Sequence, residues 1–315
     1  MIKTHSLLEM LKYRRPHLSK TEEDFIAVYL DPIAGMQQDG FGNRYVRIGD
    51  SRTLFSAHTD TVHKHEGKQS LELDPYTNIV YKNDKKSNCL GADDTTGIWL
   101  MINMIESGVH GLYIFHRGEE RGGLGSQYIL DHHPELLEDI DRAIAFDRMG
   151  YTDVITHQAM GRCCSDAFAT ALGECIGMRY KPDPTGSFTD TATYTGVIPE
   201  CTNVSVGYFA QHSKSENQDI THAEKLLDAL VRINFEALPT MRDPKAAVDE
   251  YDSSWATFTG SRSCDLLPYF KNRQEAKDFL KHNPDLVADV LFEEFGKLHD
   301  DSIEFDLEAD EMVGW

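Results

Sequence analysis

GADDTTGIWLMINMIESGVHGLYIFHRGEE, residues 91–120, strings together a turn, a helix and a strand, and its reading decides the fold. TTGIWLMINMIESG (95–108) is a long apolar run closed by glycine, and it reads as a helix. The preceding GADD is a turn in which Asp94 can offer an oxygen to the free amides of a helix beginning near Thr95. GLYIFHR (111–117) is short, rich in branched and aromatic residues and bounded by turn formers, the pattern of a strand. The stretch ends on paired glutamates, Glu119 and Glu120.

The same alternation extends outward. NRYVRIG (43–49) and RTLFSAHT (52–59) read as strands parted by a Gly49-Asp50 turn, and RAIAFDR (142–148) and CTNVSVGYF (201–209) as two more. Helical patterns fill the intervals at GLGSQYILDHH (123–133), SDAFATALGECIG (165–177) and ITHAEKLLDALVRINFEAL (220–238). Scaffold helices are predicted near Leu7–Leu11 and Phe25–Tyr29. Alternating strands and helices make an α/β sheet covered on both faces. No internal repeat or low-complexity segment interrupts it.

After Arg242 the composition shifts, with 18 acidic against 7 basic residues. Asn283 is placed to N-cap a helix with Pro284 at its first position, and Leu286, Val287, Val290, Leu291 and Phe295 share one face. The expected organisation is a catalytic domain over residues 1–242 and a small acidic helical appendage over 243–315.

A formal charge of −21, from 31 basic and 52 acidic residues, repels phosphate backbones and anionic lipid surfaces. Nucleic acid and membrane are therefore excluded as expected partners. The first residues lack the apolar core of a signal peptide, so a cytoplasmic location is expected. Cys89, Cys163, Cys164, Cys175, Cys201 and Cys264 show no CxxC spacing and read as free thiols without zinc.

Five short segments carry the chemistry: HTD (58–60), GADD (91–94), GEE (118–120), FDR (146–148) and AQHS (210–213). Four of them stand where a strand gives way to a loop. In an open α/β sheet, ligands bind beyond the carboxyl ends of the strands. Each segment alone has an ordinary reading as turn, cap or solvated surface. Their order on one α/β chain is what carries weight. Two histidines among carboxylates suit zinc, with cobalt or manganese as alternatives, better than magnesium or calcium. Two ions roughly 3.5–4 Å apart need a ligand that reaches both, and the two oxygens of Asp93 qualify it as that bridge. In an extended backbone Glu119 and Glu120 would point to opposite sides, so one can bind metal while the other handles a proton.

This ordered set resembles that of the co-catalytic di-zinc exopeptidases, in their aminopeptidase and tripeptidase-like branches. HTDTV, GADDTTG, GEERGGLGS, AFDRMG, GSFTDTATYTGVIPECTNVSVGY and AQHSKSENQDI carry the resemblance, over about residues 5–240. It implies a three-layer fold with a mixed, mostly parallel sheet flanked by helices. It also implies one ion on His58, Asp93 and Asp147 and a second on Asp93, Glu120 and His212. Glu119 would be the catalytic base and Asp60 the partner that orients the His58 ring. A cis peptide between Asp93 and Asp94 and a buried supporting Asp190 complete what it implies. Many relatives insert a dimerisation or lid domain between the last acidic ligand and the final histidine. Here Asp147 and His212 are 65 residues apart, and no such domain fits.

The expected activity is hydrolysis of a small peptide or related amide. An amidase or deacylase acting on N-acyl amino acids would use the same chemistry. A non-catalytic interaction protein on this scaffold is the alternative of another class, and retention of every ligand and the base argues against it. Arg121, Arg162, Tyr208 and Phe209 are candidates for reading the substrate. Substrate identity and oligomeric state are not legible.

Overall fold

The structure, a computed structural model, describes residues 6–158 and 161–245. Eight strands form the central sheet. In chain order they are Gln37–Gln38 (β1), Arg44–Ile48 (β2), Thr53–His58 (β3), Gly111–His116 (β4), Arg142–Arg148 (β5), Asp153–Ile155 (β6), Lys181–Asp183 (β7) and Glu200–Ser205 (β8). Across the sheet they run β7-β6-β8-β5-β3-β4-β2-β1. The central four, β8, β5, β3 and β4, are parallel. Antiparallel pairings of β2 with β4 and of β6 with β8 finish the two sides.

Strands β3, β4 and β8 are buried at every position, and β4 accordingly reads as a continuous apolar run rather than an alternating one. Their side chains nonetheless sort by the two-residue period of a strand. Phe55, Tyr113 and Phe115 join one core with Trp99, Ile102, Phe168 and Leu227. Their neighbours Leu54, Leu112 and Ile114 join a second with Ile129, Tyr194 and Ile198. Helices Lys20–Tyr29 (α1), Ala92–Glu106 (α2), Asp166–Ile176 (α4) and Ile220–Leu230 (α5) feed the first core, and Leu124–His132 (α3) feeds the second. The result is the expected three-layer α/β fold. Ser19, Ser165 and Asp219 cap α1, α4 and α5 with side-chain oxygens that accept from backbone amides.

A second, four-stranded antiparallel sheet joins Leu71–Leu73, Ile79–Lys82, Asn217–Asp219 and Tyr208–Phe209. It accounts for one difference from the sequence reading: the strand predicted over 201–209 divides, β8 ending at Ser205 and the remainder joining this smaller sheet. The helix predicted over 220–238 stops at Leu230. Arg232 and Ile233 donate to carbonyls three residues back, tightening the end. Phe235 then turns down onto Phe55, ring edge to face at 4.9 Å.

Helix α2 approaches β5 closely at Gly97, where a Cβ would lie 2.4 Å from Asp94 Oδ1 and 2.6 Å from the Phe146 carbonyl oxygen. The Gly97→Ala variant should lose about 1–3 kcal/mol, read as a lower urea midpoint, because helix and strand must part. No helix among the described residues is long and apolar enough to cross a membrane. The helix predicted around Asn283–Phe295, with nearly all of the 243–315 appendage and Cys264, lies outside the described residues.

Candidate metal centre

Strand β3 pairs with β4 on one side and β5 on the other, and the chain visits β3, then β4, then β5. The connections leaving β3 and β4 therefore diverge, opening a crevice at the carboxyl ends of these strands. His58 is the last residue of β3, Glu119 and Glu120 follow β4 directly, and Asp147 is near the end of β5. Asp93 enters from the start of α2, whose backbone is non-helical at Asp93 and Asp94 and whose Asp93-Asp94 peptide is cis. His212 comes from the turn between Tyr208–Phe209 and Asn217–Asp219 of the small sheet.

The two oxygens of Asp93 face different imidazoles. Oδ1 lies 3.0 Å from His58 Nε2 and Oδ2 lies 3.1 Å from His212 Nε2. On the His58 side, Asp147 Oδ1 is 3.7 Å from Nε2. On the His212 side, Glu120 Oε1 is 3.0 Å from Nε2. Glu119 Oε2 stands 4.0 Å from His58 Nε2. All six residues named from the sequence thus meet in one place. Glu119 and Glu120 do not separate by extended backbone, because Glu119–Arg121 is a 3₁₀ turn opened and closed by left-handed Gly118 and Gly122. With three residues per turn, successive side chains still diverge, and the two carboxylates reach different imidazoles.

Asp60 serves Glu119 more directly than it serves His58. The His58 Nδ1 lies 3.0 Å from the Asp60 main-chain carbonyl and 3.6 Å from its carboxylate. The Asp60 Oδ1 instead accepts from the Gly118 and Glu119 amides, at 2.9 and 3.1 Å, pinning the turn that carries the paired glutamates. Asp94 is buried and committed, accepting from the His58 amide at 3.2 Å and the Gly97 amide at 2.9 Å. Asp190 is buried behind the site, 3.3 Å from His116 Nδ1.

The field of the crevice favours a cation. Burial, then the charge of Asp93, pushes the Asp147 carboxyl up to about 6. Burial raises Glu119 well above the usual carboxylate range, and Asp147 and Asp190 add to that rise against the pull of His58. Hydrogen bonds donated to Asp93 and Glu120 raise the His212 imidazole to about 11. Burial opposes a charge on His58, but Asp147, Asp60 and Asp93 outweigh it and raise that ring as well. So many buried carboxylates around two imidazoles are stable together when positive charge is held among them. His58, Asp93 and Glu120 each present a ligand atom within 4.8 Å of the others, as do His58, Asp94 and Asp147. Since Asp94 is occupied by backbone amides, Asp93 is the fitting partner for His58 and Asp147. Imidazole nitrogen with carboxylate oxygen is a donor set suited to zinc.

The positioning roles of three residues escaped the sequence reading. The buried Glu216 carboxylate accepts four backbone amides, from Leu90 at 2.8 Å, Gly91 at 3.0 Å, Ala92 at 2.8 Å and Asp93 at 3.3 Å. Burial and the Asp93 charge push Glu216 up to about 7 against the pull of those amides. It fastens the loop of Asp93 to the loop of His212, four residues away in sequence. Asn203 brackets Asp147, accepting its amide and donating to its carbonyl. The buried Tyr208 hydroxyl donates to the Asp147 carbonyl at 2.9 Å and lies 3.1 Å from its Oδ1. A lone Glu in a polar loop and a lone Asn in a buried strand carry no sequence signal for such roles, whereas Tyr208 stood among the substrate-reading candidates. Of the others, Arg162 pairs with Asp166 on the surface and Phe209 packs on Tyr151. A cavity of about 90 Å³ opens beside Asp93, Glu119, Asp147 and His212.

No protein-family profile matches the chain. No curated protein matches it by sequence. Solved structures do match. Aminopeptidase PepT of Bacillus cereus aligns over 73% of this chain and 96% of its own, with a TM-score of 0.60 at 13% identity. A tripeptidase of Staphylococcus aureus aligns over 71% and 95%, with a TM-score of 0.60 at 13% identity. The TET1 peptidase of Pyrococcus horikoshii aligns over 72% and 98%, with a TM-score of 0.53 at 16% identity. The chain therefore has the fold of these aminopeptidase and tripeptidase structures, the one that its resemblance to the di-zinc exopeptidases implies.

Proposed function

We propose that the chain is a two-metal hydrolase that cleaves a peptide or related amide bond, acting as an aminopeptidase-like exopeptidase on small substrates. The observation that carries this reading is the Asp93 carboxylate, with one oxygen toward His58 and the other toward His212. The peptidase names of the matched structures agree with it.

His58, Asp93 and Asp147 would hold one ion and Asp93, Glu120 and His212 the other. Zinc is the ion of choice for these donors, with cobalt or manganese as substitutes. When bound, the pair of ions polarises the scissile carbonyl and lowers the pKa of water toward neutrality. Glu119 takes the proton of the attacking water and passes it to the leaving amine, so one carboxylate serves both halves of the reaction. Asp60 fixes the turn on which Glu119 stands, Tyr208 and Asn203 fix Asp147, and Glu216 fixes Asp93. In the same proposal residues 1–242 form the catalytic domain, 243–315 are an appended acidic segment, and the protein acts in the cytoplasm.

The test is to strip metal from the protein, restore zinc, cobalt or manganese, and assay aminoacyl-anilides and dipeptides beside N-acyl amino acids. About two metal equivalents per chain, with chelator-sensitive release of the amino-terminal residue, are expected. Cleavage confined to N-acyl amino acids would replace the exopeptidase by a deacylase. Failure to take up metal would end the two-metal reading.

A further inference from the structure

The cavity at the metal centre is lined by two kinds of residue. One kind is Asp93, Glu119, Asp147 and His212, assigned above to ions and base. The other includes Arg148, Gln158, Ile155 and Phe188. The cavity volume of about 90 Å³ is several times the ~10–15 Å³ that one water needs. That is room for a short side chain or for the carboxyl end of a small molecule.

Arg148 follows the proposed ligand Asp147 in β5, and strict alternation would send the two side chains to opposite faces. The register of β5 against β8 is irregular at this point, between Asn203 and Ser205, and both residues line the cavity. The guanidinium is held in place: its Nε donates to Asp153 Oδ2 at 3.2 Å and its Nη2 to Thr185 Oγ1 at 2.9 Å. Those bonds use two of its five N–H donors. Its side chain is only 17% exposed. The wall bearing Thr185 and Phe188 is pressed onto β6 at Gly186, where a Cβ would lie 2.4 Å from both the His157 carbonyl oxygen and Ile155 Cγ2. Among the described residues, no other arginine and no lysine lines the cavity.

A planar guanidinium, fixed by its own partners and carrying spare donors in a partly dry cavity, is a receptor for carboxylate. We propose that Arg148 binds a carboxylate of the substrate and is the specificity-determining residue of the reaction. The proposal rests on the two-metal hydrolase reading for what happens next to that carboxylate. The carboxylate belongs either to an acidic amino-terminal side chain or to the free carboxyl end of a dipeptide, and both present the same group to Arg148.

Two matched pairs separate the sources: glutamyl-anilide against glutaminyl-anilide, and alanyl-glycine against its amide. In the zinc-loaded wild type, one carboxylate substrate should exceed its amide by about tenfold or more in kcat/KM, as expected for loss of a charge-assisted contact. A preference in the first pair assigns the side chain, and in the second the carboxyl end. In Arg148→Leu the ratio should fall to near one at unchanged metal content, and Arg148→Lys should keep part of it. Equal rates within both wild-type pairs, or a preference that survives Arg148→Leu, would overturn the proposal. Calorimetric binding of glutamate against glutamine, and of glycine against glycinamide, gives a readout without turnover. Arg148-dependent carboxylate binding with no hydrolysis would uphold the receptor and sink the hydrolase. Hydrolysis indifferent to Arg148 would do the reverse.

Discussion

Replacing Glu119 by Gln should cut turnover by roughly 10²–10⁴-fold, the usual contribution of a positioned acid–base group, while metal content stays at the wild-type level. The amide is nearly isosteric with the carboxylate but neither accepts a proton from water nor returns one to the leaving amine. The Glu119 backbone would stay where Asp60 holds it, since that bond is made to the main chain. Glu119 also lies farther from His58 Nε2, at 4.0 Å, than Asp93 does at 3.0 Å, so its charge is dispensable for gathering the cation. Turnover measured on metal-quantified protein decides the matter. An active Glu119→Gln variant would remove Glu119 from the mechanism.

The second large effect is expected at a residue that contacts no substrate. Glu216→Ala leaves the amides of Leu90, Gly91, Ala92 and Asp93 without their acceptor in a buried loop. Each buried donor left unsatisfied costs about 1–3 kcal/mol. Water entering the space left by the side chain recovers part of this, so a net loss of about 3 kcal/mol or more is expected. That is a large share of a typical stability of about 5–15 kcal/mol. The urea midpoint should fall and metal affinity with it, because Asp93 loses the brace on its own amide. Glu216→Gln, which keeps one acceptor oxygen and turns an NH₂ toward the remaining amides, should fall between the two. Wild-type midpoint and metal content in Glu216→Ala would show that the four bonds are replaceable.

The parallel centre of the sheet was legible because strands buried on both faces carry apolar residues on both, as TLFSAH does at Leu54 and Phe55 and GLYIFH from Leu112 to Phe115. The edges were not. Lys181–Asp183 is three residues long, contains Pro182 and is nowhere fully buried, so it offers neither an apolar run nor an alternation. Leu71–Leu73 alternates over only three residues and is largely exposed, too short to stand out. In the site, the residues that gather at the crevice were legible because their motifs sit where the pattern of the chain changes from strand to loop. The residues that hold them were hidden. Glu216 does its work through main-chain amides, and any sequence supplies those, so no partner residue advertises it.

The crevice is assembled from parts with unequal freedom to change. His58, Glu119 and Asp147 stand at the ends of neighbouring strands in the middle of a sheet, where sliding one strand by a residue would move its side chains from each core into the other. Nothing can be inserted there without rebuilding the core. His212 rides instead on a half-exposed turn that leaves and rejoins a small sheet, and the loops around it can lengthen without disturbing any central register. If this architecture has diversified, new loops and new neighbours for the active site would accumulate on the His212 side, while the strand ends opposite stay as they are.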